Sequence, residues 1–227
     1  MPFSWFQKKK QPPADAPAYW MEYLALWEDP LDKDLPIEEV RFIVFDTETT
    51  GLNPKTDHIL SIGAVELQGH RICLDRSFEC YLQQVRAPEK DSIKIHGILP
   101  RDLRWGQSEA EAMEAFVQYI GRGVLVGHNV FFDQAILNKT LAQQVGDTLK
   151  NPVVDTHQLA LRLEHIFVPQ FYRRDEYTLD ALCRRFQIPL NDRHTAAGDA
   201  YITAVLLVKM LSRLRGRGIT TLQKLLR

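Results

Sequence analysis

Val40-Arg41-Phe42-Ile43-Val44-Phe45-Asp46-Thr47-Glu48-Thr49-Thr50-Gly51-Leu52 decides the fold. Its first six residues are apolar and β-prone, Arg41 excepted, and Thr50-Gly51 closes the run. A short continuous apolar run of this kind reads as a strand buried on both faces, in the middle of a sheet. Two acids follow, one residue apart. Side chains at i and i+2 on a strand point the same way, about 6.6 Å apart along the backbone. Two carboxylates on one face at the mouth of a buried strand repel each other, and a divalent cation is the commonest way to offset that repulsion. The competing reading is a pair of solvated acids ahead of a turn.

Working outward, residues 58–67 and 71–82 are two further strand-like runs, joined by Gln68-Gly69-His70 as a hairpin. Ser108 predicts the N-cap of a helix over 108–120, with Glu111 completing a capping box. Residues 123–126 form a short apolar strand and 130–145 a helix. Residues 151–155 give another strand, followed by helices near 156–165 and 178–186. Thr195 caps the last long helix, over 196–214. Three leading strands followed by alternating helices and strands imply an α/β domain with a mixed sheet.

The predicted domain spans 39–215, with an extension over 1–38 and a basic tail over 216–227. Gln11 to Pro17 holds three prolines and reads as an extended linker. Trp20, Tyr23, Leu24 and Trp27 then follow the spacing of one helical face, which Asp29-Pro30 ends. The favoured reading is an extension helix packed on its own domain. The sharper alternative is a docking helix for a protein partner, since clustered aromatics make good interface anchors.

Composition limits the classes that remain. The chain has 227 residues, 45% hydrophobic and 25% charged, which excludes wholesale disorder and leaves enough apolar residues for a core. No run of 18 apolar residues occurs, so no membrane span is expected. Cys73, Cys80 and Cys183 lack disulfide or zinc spacing and read as reduced thiols. The first ten residues place their charge after a very short apolar patch, the wrong order for a secretory signal, so a cytoplasmic protein is expected. With 28 Lys+Arg against 29 Asp+Glu the net charge is −1, which excludes nucleic-acid binding by bulk positive charge. The charge is unevenly spread. From Tyr201 to Arg227 there are six basic residues and no acid, while Asp15 to Glu39 holds eight acids against Lys33 alone. A local, metal-centred grip on one strand end stays open.

Two further motifs join the acidic pair. His128-Asn129-Val130-Phe131-Phe132-Asp133 lies where a short strand passes into a helix, which puts Asp133 in the helix's first turn. His194-Thr195-Ala196-Ala197-Gly198-Asp199 places a histidine on a loop and an acid within the next helix, with small residues between them. Each piece alone is weak. In this order, with Phe45 to Leu52 and with Ile95-His96-Gly97-Ile98 between the first two, the set resembles the DEDDh 3′→5′ exonucleases. Within that family the likeness is in particular to the proofreading exonuclease subunit of bacterial DNA polymerase III. It covers about Val40 to Leu214.

The resemblance implies a ribonuclease H-like mixed five-stranded sheet flanked by helices, with Asp46, Glu48, Asp133 and Asp199 as ligands of two Mg²⁺ or Mn²⁺ ions. Asp46 would bridge both ions, Glu48 and Asp199 would hold the one carrying the attacking water, and Asp133 would act partly through bound water. His194 would be the general base, since an imidazole can accept a proton near neutral pH. Hard cations prefer oxygen donors, and two of them can stabilise the attacking and leaving oxygens of a phosphodiester. Thr47, Leu52, His96, Asn129 and Phe132 would grip the terminal nucleotides of a single-stranded DNA 3′ end. His96 as a buried structural histidine, and Phe132 as packing beneath the site, are the competing readings. Phe167, Phe171, Tyr172, Arg173, Arg174 and Tyr177 interleave aromatics with positive charge, a composition that suits single-stranded nucleic acid or a loop packed on the core. The implied activity is exonucleolytic release of nucleoside 5′-monophosphates in proofreading or repair. An exoribonuclease on the same scaffold and a non-catalytic polymerase- or DNA-binding module are the rivals. Only Gly216 to Arg227 follow the last predicted helix, which is too short for that subunit's separate polymerase-binding region.

Overall fold

The opening apolar run forms strand β1 (Arg41–Thr49), and its neighbours on either side generate the sheet. The computed structural model describes residues 16–84, 90–164 and 173–227. β2 (Ile59–Gln68) and β3 (Arg71–Tyr81) add to one side of β1 as an antiparallel meander. β4 (Val124–Gly127) and β5 (Val153–Asp155) add to the other side in parallel. The order is β3-β2-β1-β4-β5, so β1 is central, as its two-sided apolarity requires. This is the mixed five-stranded α/β sheet expected from the sequence.

Strand alternation divides β1 between two cores. Phe42 and Val44 join a cluster with α5 (Thr156–Leu163), α6 (Leu179–Arg185), α7 (Ala196–Arg215) and α8 (Leu222–Leu226). Ile43 and Phe45 face the opposite way, onto α1 (Ala18–Ala25), α3 (Glu109–Ile120) and α4 (Phe131–Val145). A shorter helix, α2 (Lys90–His96), precedes the His96-Gly97-Ile98 segment, where the sequence showed no helical signal. The capping box at α3 forms as predicted: Ser108 Oγ accepts the Glu111 N–H at 3.3 Å and Glu111 Oε2 accepts the Ser108 N–H at 2.9 Å. Among the described residues, no helix is long and apolar enough to cross a membrane.

The aromatic helix α1 packs on its own domain. Trp20 is fully buried and packs tilted against Tyr23, with ring centroids 4.8 Å apart. The Tyr23 hydroxyl donates to Asn151 Oδ1 at 2.6 Å, and Asn151 Nδ2 donates to the Gly121 and Gly123 carbonyls. One side-chain amide thereby ties α1 to the loops entering β4 and β5.

The stretch 216–227, expected as a basic tail, is instead part of the folded body. Leu222 and Leu225 are spaced for one helical face and both are buried, so α8 closes over the core. Arg162 donates to the Leu225 and Lys224 carbonyls at 2.7 and 2.9 Å, satisfying the exposed end of that helix. The acidic and basic segments meet here: Ile37 donates to Thr220 O, Leu222 to Leu35 O and Gln223 to Lys33 O, and Arg215 pairs with Glu38 at 3.0 Å.

If α1 belongs to the cooperative unit, Trp20→Ala should cost about 3–5 kcal/mol of unfolding free energy, as for other large core truncations. Urea denaturation measures it. A loss below about 1 kcal/mol would mean that α1 is a detachable appendage.

Candidate active site

The acids converge because a glycine lets a helix approach the sheet. Gly63 on β2 lies directly opposite Asp46 on β1. A Cβ there would stand 2.2 Å from Ala197 N and 2.3 Å from the Ala196 carbonyl carbon, so no side chain fits. The first turn of α7 therefore rests on the strand beside Asp46. Thr195 caps it by accepting the Gly198 N–H at 3.0 Å, and Asp199 follows one residue later. Asp46, Glu48 and Asp199 each present an oxygen, all within 4.8 Å of one another.

Asp133 arrives by the other parallel strand. β4 turns abruptly into α4, Asn129 taking φ +55°, and Asp133 lies buried in the helix's first turn. Thr47, between the two acids of β1, donates its N–H at 3.1 Å and its hydroxyl at 2.5 Å to Asp133 Oδ1. The strand that carries two acids thus fixes the orientation of a third.

The electrostatics follow from burial and crowding. Burial, then the charges of Asp133, Asp199 and Glu48, holds Asp46 well above the usual carboxylate range. Burial and the neighbouring Asp199 and Asp133 push Glu48 up to about 8. Burial raises Asp133 to about 7 despite the Thr47 donors. Among the described residues, the counter-charge beside these acids is Arg193. Its guanidinium pairs with Asp199 Oδ2 through Nη1 and with Asp180 Oδ1 at 2.6 Å through Nε. Asp199 Oδ1 stays buried without a hydrogen-bond partner. A buried, unpartnered carboxylate oxygen beside two more acids suits a cation, and an all-oxygen donor set suits Mg²⁺ or Mn²⁺.

The structure gathers Asp46, Glu48 and Asp199 within 4.8 Å, holds Asp133 beside them through Thr47, and treats the remaining predicted residues differently. His194 is exposed on the turn before α7, at φ +64°, held to none of the acids by a hydrogen bond. Leu52, three residues beyond the end of β1, is 88% exposed. Asn129 is exposed, and its N–H is held by Asp155 Oδ1 at 3.0 Å. Phe132 is half-buried. Thr47, expected to touch substrate, spends both donors on Asp133. His96 is buried, its Nδ1 accepting the Ile98 N–H at 3.0 Å, and burial lowers its pKa. Arg193 escaped the sequence reading: it stands beside His194, but no spacing links it to Asp199 and Asp180.

Comparison with known proteins identifies the family and the fold. The family model described as Exonuclease (RNase_T) matches residues 43–207. A DNA polymerase III PolC-type protein of Bacillus subtilis is 34% identical over 184 residues, covering 81% of this chain and 12% of the polymerase. A DNA polymerase III subunit epsilon-like protein of Rhodobacter capsulatus is 35% identical over 200 residues, covering 87% of this chain and 26% of that protein. The chain thus spans about a quarter or less of these relatives. Among solved structures, Escherichia coli Exonuclease I in complex with a dT13 oligonucleotide aligns with a TM-score of 0.63 at 19% identity, covering 79% of this chain and 43% of that one. Exonuclease X in complex with 5′ overhanging duplex DNA aligns at 0.61 with 23% identity, covering 81% of this chain and 97% of that one. At these identities the structural matches establish the fold.

The raised carboxyls set a pH dependence. Glu48 and Asp133 titrate in the folded chain above the ordinary carboxylate range of about 4. The stability they contribute is full below that range and is lost as pH rises through about 7 to about 8. In EDTA the melting temperature should therefore fall between about pH 4 and about pH 8 and level off above, and Glu48→Gln should shrink the fall. Parallel curves for parent and variant would show that Glu48 keeps an ordinary pKa.

Proposed function

Because the chain belongs to the RNase_T exonuclease family, we propose that it is a metal-dependent 3′→5′ exodeoxyribonuclease. It removes nucleoside 5′-monophosphates from single-stranded or frayed DNA ends, in proofreading or DNA repair, in the cytoplasm. The observation that carries this reading is the set of oxygens from Asp46, Glu48 and Asp199 within 4.8 Å of one another, one oxygen of Asp199 buried without a partner.

Asp46, Glu48, Asp133 and Asp199 would hold two Mg²⁺ or Mn²⁺ ions. When bound, such ions supply Lewis-acid stabilisation of the attacking and leaving oxygens. The chain's own residues do the rest. Thr47 fixes the Asp133 carboxylate, and Arg193 fixes that of Asp199, so that neither turns away. His194, exposed at the mouth and one residue before the cap of α7, accepts the proton of the attacking water. Leu52, exposed beyond the end of β1, is suited to wedge between the last two bases. Asn129 and the half-buried Phe132 flank the strand end on the α4 side. The DNA preference is supported by the names of the relatives, DNA polymerases, and by the DNA held in the Exonuclease I and X complexes.

A panel of matched DNA and RNA strands, single and double, each with Mg²⁺, Mn²⁺ or EDTA, tests the reading. Single-stranded DNA should be shortened from the 3′ end with either metal and left intact in EDTA. Asp46→Ala should abolish the reaction with an unchanged circular dichroism spectrum, and His194→Gln should lower kcat about 10²- to 10⁴-fold. Hydrolysis surviving EDTA would sink the metal mechanism. Shortening of RNA alone would make the enzyme an exoribonuclease.

A further inference from the structure

One strand beyond the acids, the same end of the sheet carries a second feature. β1, β4 and β5 are parallel, so their C-terminal ends share one edge, and Gly127 pairs with Asp155. At two strand spacings, about 10 Å from Asp46, a cavity of about 510 Å³ opens against the start of α5. Asn129, Phe131, Asp155, His157, Arg174 and Tyr177 line it.

Three properties of this wall bear on its occupant. Phe131 is 58% exposed, one residue before the half-buried Phe132, so the chain leaves an aromatic face in water at the rim. Arg174 is exposed and supplies a cation beside it. Asp155, the acid of the wall, is committed inward: its Oδ1 accepts the N–H groups of Asn129 at 3.0 Å and His157 at 2.9 Å. The lip therefore offers a ring face and a guanidinium, with Asn129 presenting its amide. Bases stack on aromatic rings irrespective of sequence, and arginine meets phosphate. The wall also includes Arg174 and Tyr177 from the aromatic-basic stretch that the sequence singled out; Phe167, Phe171 and Tyr172 of that stretch lie outside the described residues.

We propose that this cavity holds a base and phosphate of the single strand next to the nucleotide being removed, with Phe131 as stacking platform and Arg174 as phosphate anchor. The inference rests on the exonuclease reading for which strand end lies at the acids. Its placement explains why a chain of net charge −1 can retain a strand: the grip is local, aromatic and singly basic.

The full chain, Phe131→Ala, Arg174→Ala and Phe131→Trp are compared for binding of a 5′-fluorescein thymidylate oligomer by anisotropy, with Ca²⁺ replacing Mg²⁺. KM is then measured on that oligomer and on the p-nitrophenyl ester of thymidine 5′-monophosphate. Each alanine variant should weaken oligomer binding about tenfold and raise its KM similarly, with a smaller change on the ester. Phe131→Trp should recover binding to within about threefold of the parent. Alanine variants that melt like the parent and bind within about twofold would overturn the proposal, as would a parent that does not bind the oligomer. A parent that binds but cuts neither substrate would sink the exonuclease reading alone, and the anisotropy series would still decide the cavity.

Discussion

Carboxylates held together in a buried place repel one another, and the frame around Asp46, Glu48, Asp133 and Asp199 exists to bear that repulsion. β1 resists it from beneath, because its four central apolar residues are locked into cores on both faces of the sheet. α7 resists it from the side, pressed onto β2 where Gly63 leaves no side chain in the way. Thr47 and Arg193 then hold individual carboxylates at fixed angles. Each device is local, yet none works alone. A side chain at Gly63 would move α7, and with it Asp199, away from β1.

The same balance of charge operates at larger scale. The acidic stretch before β1 and the basic stretch after α7 are adjacent in space, stitched by the backbone bonds between residues 33–37 and 220–223 and by the Arg215–Glu38 pair. Their charges offset each other on the surface.

Local signals were read correctly from sequence, and contacts between distant segments were not. The buried strand, the capping box at Ser108 and Glu111, and the Thr195 cap each declare themselves within a few residues. The acids were legible because motif order carries more information than any single spacing. α2 and α8 were missed: at seven and five residues they are too short to establish a 3.6-residue period. The partners of Thr47 lie 86 residues away, and Arg193 reaches Asp199 by folding back from a positive-φ turn. No pattern in the chain announces either pairing. Tertiary geometry alone supplies them.

Arg193 also fixes what the site still requires. It brings one positive charge to four carboxylates and shares that charge with Asp180. The deficit has two possible remedies, protons or cations. Burial and mutual repulsion shift Asp46, Glu48 and Asp133 upward, toward the protonated form. The unpartnered oxygen of Asp199 marks where a cation would be welcome. Both express one electrostatic demand, so protons and metal ions compete for the same oxygens. A site built to lower the cost of gathering acids any further, with a second arginine for example, would leave less demand for a cation. The repulsion within the cluster is what would favour a cation there.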